Sequence, residues 1–236
     1  MNSQSRLNPD FYENLVPHLS EARLKAYGKD GADEFTIISR YYLNMALSEA
    51  LYPVLQTAEV ALRNAIHGQL SLRTGRSDWY ETITLPKNQL LQLNQVKAKL
   101  KGGSKPCSPD RLIAELTFGF WSSFFTAPHK NSGIAYYLCK SCFALAPKPE
   151  RNYKKLAVKW QNIRKLRNRI SHHERILHFS DLDQQHQDIL ELICWMNPTL
   201  YHTVLTLDRF SALRTNGLPP LQAQLQQALS RQNART

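Results

Sequence analysis

Apolar residues in this chain recur at three- and four-residue spacing, and no long stretch alternates apolar with polar as a half-buried strand must. Between Glu34 and Leu51, the residues Ile37, Tyr41, Met45, Leu47 and Leu51 hold near-helical spacing. A second run to Arg73 puts Leu55, Leu62, Ala65, Ile66 and Leu70 on one side. Pro53 lies between the two runs, and its missing N–H and its ring predict a break or kink there. The same pattern predicts shorter helices over Phe11–Tyr27, stopped by Gly28, and over Lys87–Leu100. Ser108, Pro109 and Asp110 form an N-terminal start signal for a helix to Phe125. Further helices are expected over Asn131–Ala144, along the basic run that follows Pro149, from Ser180-Asp181 to Met196, and from Asn197-Pro198 to Phe210. Gly75–Asn88 reads as a connection packed by Trp79 and Tyr80, and Gly102–Pro109 as the most flexible loop. Leu213–Pro220 reads as a turn, and Leu221–Thr236 as a marginal helix or frayed tail. The fold class is all-α, with residues 1–236 as one domain whose end, 211–236, is a turn and C-terminal tail.

Thirty Lys and Arg against nineteen Asp and Glu give a net charge of +11 and a pI near 9.6. A polyanion is the first partner to consider, nucleic acid before anionic membrane. No apolar run approaches the roughly 20 residues of a spanning helix, and Met1–Asp10 is polar, without a signal core. A cytoplasmic protein that does not enter the membrane is therefore expected. Four cysteines, at 107, 139, 142 and 194, are too few and too irregular for a disulfide framework and read as reduced thiols. Cys139 and Cys142 form a lone CxxC inside a hydrophobic helix, which favours burial over zinc. Phe118, Phe120, Trp121, Phe124 and Phe125 point all round a helix, as only a core or a dimer contact tolerates. A base-stacking platform would interleave such rings with basic residues, and Leu116–Phe125 has none.

The chemistry concentrates between Arg151 and Arg175, where nine basic residues face one acid, Glu174. On a helical net Leu156, Trp160, Ile163, Ile170 and Leu177 make an apolar stripe, with Arg164, Asn168, His172 and Arg175 opposite. One side is expected to be buried and the other offered to an anion, with Arg164, Lys165, Arg169 and Arg175 tracking a phosphate backbone. At its end the decapeptide Arg167-Asn168-Arg169-Ile170-Ser171-His172-His173-Glu174-Arg175-Ile176 supplies what RNA cleavage needs. An imidazole moves the 2′-hydroxyl proton near neutral pH, and a guanidinium clamps the phosphoryl group. Of the adjacent histidines, His172 shares the face of Asn168 and Arg164, so it is expected to act directly. His173, at the edge of the apolar side, suits a structural imidazole. Five residues separate Arg167 from His172, about 140° round a straight helix, so the two do not share a face. A bend near Ser171 or a cleft between two subunits would resolve this; alternatively Arg167 pairs with Glu174 and only fixes packing. No metal-ligand spacing is found among His172, His173, Glu174 and His178, so neither metal nor cofactor is expected.

The stretch Arg167-Asn168-Arg169-Ile170-Ser171-His172 resembles the signature of HEPN ribonucleases. Tyr52–Leu70, Glu115–Phe125 and His172–Ile176 resemble the bacterial Abi-like, or abortive-infection, family, and the likeness spans about residues 19–207. The resemblance implies a HEPN-like helical bundle with additional helices. It also implies a metal-independent endoribonuclease that leaves a 2′,3′-cyclic phosphate and acts as a homodimer with a composite site. His172 would be the general base or acid, Arg167 the stabiliser of the phosphorane, and Asn168 the residue orienting substrate or His172; His173 and Glu174 stand by as supporting groups. Glu59, Arg63 and His67 share one helical face with Asn64 beside them. They read either as an i,i+4 salt bridge on a solvated face or, on the resemblance, as a helix lending Arg63 or Glu59 to the site. The biology implied is antiphage defence by growth arrest, a toxin restrained by an antitoxin protein or a structured RNA. Two alternatives are a catalytically silent RNA-binding module on the same scaffold and a DNA-binding regulator using the basic helix.

Overall fold

The computed structural model describes residues 11–103 and 108–233. The polar start Met1–Asp10, Cys107 and most of the loop read between Gly102 and Pro109 lie outside the described residues. Thirteen α-helices and two short 3-10 turns, with no strand among the described residues, make the protein all-α. In order they are α1 (Phe11–Leu19), α2 (Glu21–Lys25), α3 (Glu34–Thr74), α4 (Lys87–Lys101), α5 (Pro109–Glu115), α6 (Phe118–Ser122) and α7 (Ala127–Asn131). Then come α8 (Ile134–Ser141), α9 (Tyr153–Ser171), α10 (Leu182–Met196), α11 (Pro198–Leu205), α12 (Phe210–Asn216) and α13 (Pro219–Asn233). None of them, among the described residues, is long and apolar enough to cross a membrane.

Several boundaries differ from expectation, each for a physical reason. Pro53 does not break the chain: α3 runs through it for 41 residues. A mid-helix proline costs about 3 kcal/mol, and here Ala50, Leu51, Val54, Leu55 and Ala58, all buried, hold the helix through it. The run from Ser108 to Phe125 is two helices and a 3-10 turn, because Leu116 and Thr117 are extended and Thr117 caps α6 by accepting from Phe120 N at 3.3 Å. The expected Ser108 cap of α5 is present, accepting from Arg111 N. Gly133, at φ 74°, separates α7 from α8, and Ser20, at φ 73°, separates α1 from α2. The turn expected over Leu213–Pro220 is instead the end of α12 and the start of α13, with Gly217 between them at φ 61°, while the end read as a marginal helix or frayed tail is helical as far as Asn233.

The chain divides into two compact units. One comprises Pro53–Asn168 and Asp183–Leu207. Its core is aromatic: Trp79, Phe120, Trp121, Phe124, Phe125, Phe143 and Trp160 are sealed from solvent, with Trp79 edge-on to Phe124 at 5.9 Å and Phe118 edge-on to Trp160 at 5.9 Å. The stretch Phe118–Phe125 is thus core, and its rings are not free to form a dimer contact. Cys139 and Cys142 are also buried, which pushes their thiols up to about 11 and about 12. Lys159 is held between Asp188 and, at 3.3 Å, Glu191. His129 is buried against Phe124 and hydrogen-bonds Gln89 Oε1 at 2.6 Å, while the same amide donates to Phe120 O at 2.9 Å.

The other unit comprises Met1–Tyr52, Arg169–Leu182 and Asp208–Thr236. Leu24, Ile38, Leu47, Ala50, Leu51, Ile176, Leu182 and Phe210 make its core. At its surface Arg40 makes a two-pronged pair with Asp30 at 2.7 Å, which holds that carboxyl down to about 2.

Candidate functional site

Helix α9 buries Leu156, Trp160, Ile163 and Leu166 and turns its charged residues outward, as the apolar stripe requires. It ends at Ser171, earlier than the helical net assumed. His173 N bonds Ile170 O at 3.0 Å and Glu174 N bonds Arg169 O at 2.8 Å. Together with His173 at φ 55°, this is the Schellman end of a helix, with histidine where glycine usually stands. His172 is the residue on which α9 stops, and Glu174, Arg175 and Ile176 lie in an irregular stretch. The 140° offset between Arg167 and His172 was a property of a straight helix, so it no longer describes this segment.

In the unit that includes Asn168, Arg167 sends Nε to Glu59 Oε2 at 3.2 Å, and its side chain keeps 41% of its surface exposed. The i,i+4 bridge of Glu59 with Arg63 is not formed among the described residues. Arg63 Nε donates to Asn64 Oδ1 at 3.2 Å. His67 is half-buried: its Nδ1 accepts the Trp79 indole N–H at 3.0 Å, and loss of solvent pushes it below the ordinary histidine range. Asn168 is exposed, and neither Arg164 nor Lys165 has a carboxylate partner among the described residues.

In the unit that begins at Arg169, His172, His173 and Glu174 are all exposed. Arg169 reaches Glu174 at 3.0 Å and lies over Phe179, 5.2 Å from the ring centre. Arg175 donates to Ala26 O and lies over the Tyr27 ring at 5.9 Å. These two cations therefore hold the loop, and at a helix C-terminus they also offset its partial negative charge. The central clamp is a residue that sequence reasoning passed over. Asn44, 4% exposed, accepts from Ile176 N at 2.7 Å and Leu177 N at 3.1 Å, and donates to Glu174 O at 3.4 Å. Its signal was a lone amide inside the apolar spacing of α3. Arg23 was also missed: its Nη1 donates to His173 O at 3.2 Å. His178 is exposed, and slight burial together with Arg175, Arg169 and Lys29 lowers its pKa. Among the described residues, no three His, Cys, Asp or Glu side chains gather where they would hold a metal ion.

Neither the curated proteins nor the solved structures include a match to this chain. The model of one family, described as Abi-like protein, matches residues 10–178, well over half of the chain and all of the stretch from Glu59 to Arg175. The chain belongs to the Abi-like protein family.

Proposed function

We propose that the protein is a metal-independent endoribonuclease of HEPN type that serves abortive infection. It cuts RNA by attack of the 2′-hydroxyl on the adjacent phosphate, releasing the 5′-oxygen of the next nucleotide and leaving a 2′,3′-cyclic phosphate. His172 moves the proton, Arg167 stabilises the charge on the phosphorane, and Asn168 orients the substrate or His172. Arg164 and Lys165 hold the strand through its phosphates, with Arg169 and Arg175 beside them. Glu59 sets the direction of the Arg167 guanidinium. The observation that carries this reading is that Arg167, Asn168 and His172, five residues apart at most, all present accessible side chains within the family-matched segment. A homodimer with a shared site, and restraint by an antitoxin protein or structured RNA, belong to the same proposal.

Labelled RNA incubated with excess chelator separates the readings. Cleavage should persist in EDTA, and His172→Ala should reduce it by roughly 10²- to 10⁴-fold without lowering the unfolding midpoint. Loss of cutting in EDTA, restored by a divalent ion, overturns the mechanism. RNA binding with no cleavage under any condition would leave a silent binding module.

A further inference from the structure

The unit containing His173 has a half-open cavity of about 360 Å³, lined by none of the residues given roles above. Tyr41, Met45 and Ile170 form its apolar walls; Arg23, Ser48 and His173 supply polar groups, and no carboxylate lines it. The volume is near the lower end for small-ligand pockets, roughly 300–1,000 Å³. That suits one flat ring system with a sugar and a phosphate.

Each wall is held before any ligand arrives. The Tyr41 ring is braced edge-on by Tyr27 at 5.8 Å and by Tyr42 at 5.5 Å. Asn44 fixes the loop from Glu174 to Leu177 through its three hydrogen bonds. The His173 backbone sits at φ 55°, a conformation that few residues other than glycine adopt, and it brings an exposed imidazole to the rim. Arg23 spends one N–H on His173 O at 3.2 Å, out of the five donors a guanidinium has. The arrangement is an apolar slot with an aromatic wall, hydroxyl and amide edges, and a cationic rim.

We propose that this cavity takes one unpaired nucleotide of the RNA strand, with its base in the slot beside Tyr41 and Met45 and its phosphate toward Arg23 and His173. The inference rests on the ribonuclease reading and names the part of the substrate that gives it base preference. His173 is bonded directly to His172, so the nucleotide held here is a near neighbour of the phosphate that is cut. A base stacked in a duplex cannot enter such a slot, so the substrate class is single-stranded RNA or a loop.

The test is equilibrium binding of four 2′-O-methyl trinucleotides that differ only in the middle base, a probe that cannot be cleaved by 2′-hydroxyl attack. Met45 is 50% exposed, so Met45→Trp fills the slot without disturbing the core. A stacked base contributes ~1–3 kcal/mol, so Met45→Trp should raise Kd about 5- to 150-fold and erase the differences among the four bases. His173→Gly keeps the backbone conformation and removes the imidazole, so it should weaken all four alike while the thermal midpoint holds or rises. Met45→Trp protein with wild-type affinities and preferences overturns the pocket, as does wild-type protein that binds none of the four. Base-selective binding that Met45→Trp abolishes, in a protein that never cuts RNA, would sink the ribonuclease reading and leave the pocket standing. A wild-type protein that binds free mononucleotides yet shows no base selectivity on the trinucleotides would replace the strand with a free nucleotide ligand and overturn the proposal.

Discussion

Asn44 and His173 decide the shape of the loop after α9, and neither stands out in the sequence by residue type alone. Asn44 saturates two backbone N–H groups and one carbonyl from Glu174 to Leu177. Asn44→Ala would leave the buried Ile176 N–H without its partner and strip the part-buried Leu177 N–H and Glu174 carbonyl of theirs, and should cost about 1–3 kcal/mol in urea unfolding. Asn44→Asp, which retains the oxygens that accept from Ile176 and Leu177, should cost less; equal losses would mean that the clamp is not what holds the loop. His173 carries the opposite prediction. A left-handed backbone costs an L-residue about 1–2 kcal/mol, so His173→Gly should stabilise the fold by about 1 kcal/mol, read as a higher midpoint in denaturant. A midpoint that falls would mean the imidazole itself holds the fold. The sequence pointed to Arg167, Asn168 and His172 because residue types and spacing carry chemistry directly. It hid the end of α9 because no glycine or proline marks the stop, so the helical net continued through His172 to Leu177 and set His173 at the edge of the apolar side.

At the level of elements, apolar periodicity found most helices, and it erred where a single residue weighs against a large buried face. Pro53 is locally unfavourable, yet the buried residues on either side carry α3 across it. Thr117 works the other way, since one cap and two extended residues divide an aromatic stretch whose pattern reads as continuous. Burial, which no local window reports, also set the state of His129 in α7. Its pKa is lowered from 6.5 to about 4 by loss of solvent, with Gln89 as hydrogen-bond partner. The fold therefore favours the neutral ring, so this stability is fully present above pH 6.5 and is lost as pH falls toward 4. The difference of about 2.5 units corresponds to about 3 kcal/mol at 1.36 kcal/mol per unit. Unfolding free energy measured between pH 7 and 4 should fall less steeply in His129→Gln than in wild type; parallel curves would show that His129 has no part in acid sensitivity.

For the molecule as a whole, the excess of basic residues points to a polyanionic partner but overstates how much charge is available. Of the nine basic residues between Arg151 and Arg175, Lys155, Lys159, Arg167 and Arg169 each meet a carboxylate, from Glu150, Asp188, Glu59 and Glu174. Three of those acids lie outside the basic stretch, so the local count of one acid missed them. Burial of the Phe118–Phe125 rings similarly removes one ground for a dimer, and the end of α9 at Ser171 removes the other. The proposed shared site now rests on family resemblance, and sedimentation at assay concentration tests it: full specific activity from a monomer on dilution excludes it. The charge pattern makes a sharper prediction. RNA affinity should fall with salt at about 0.7 log units per neutralised phosphate for each decade of salt. Lys154, Arg164 and Lys165 have no carboxylate partner among the described residues, so each alanine variant should lower that slope by about one such step. Lys159→Ala should leave the slope unchanged and destabilise the fold, because Asp188 and Glu191 would lose the cation between them. If Lys159→Ala instead flattens the slope while Arg164→Ala leaves it unchanged, the strand does not follow the unpaired face of α9, and the phosphate track lies elsewhere on the protein.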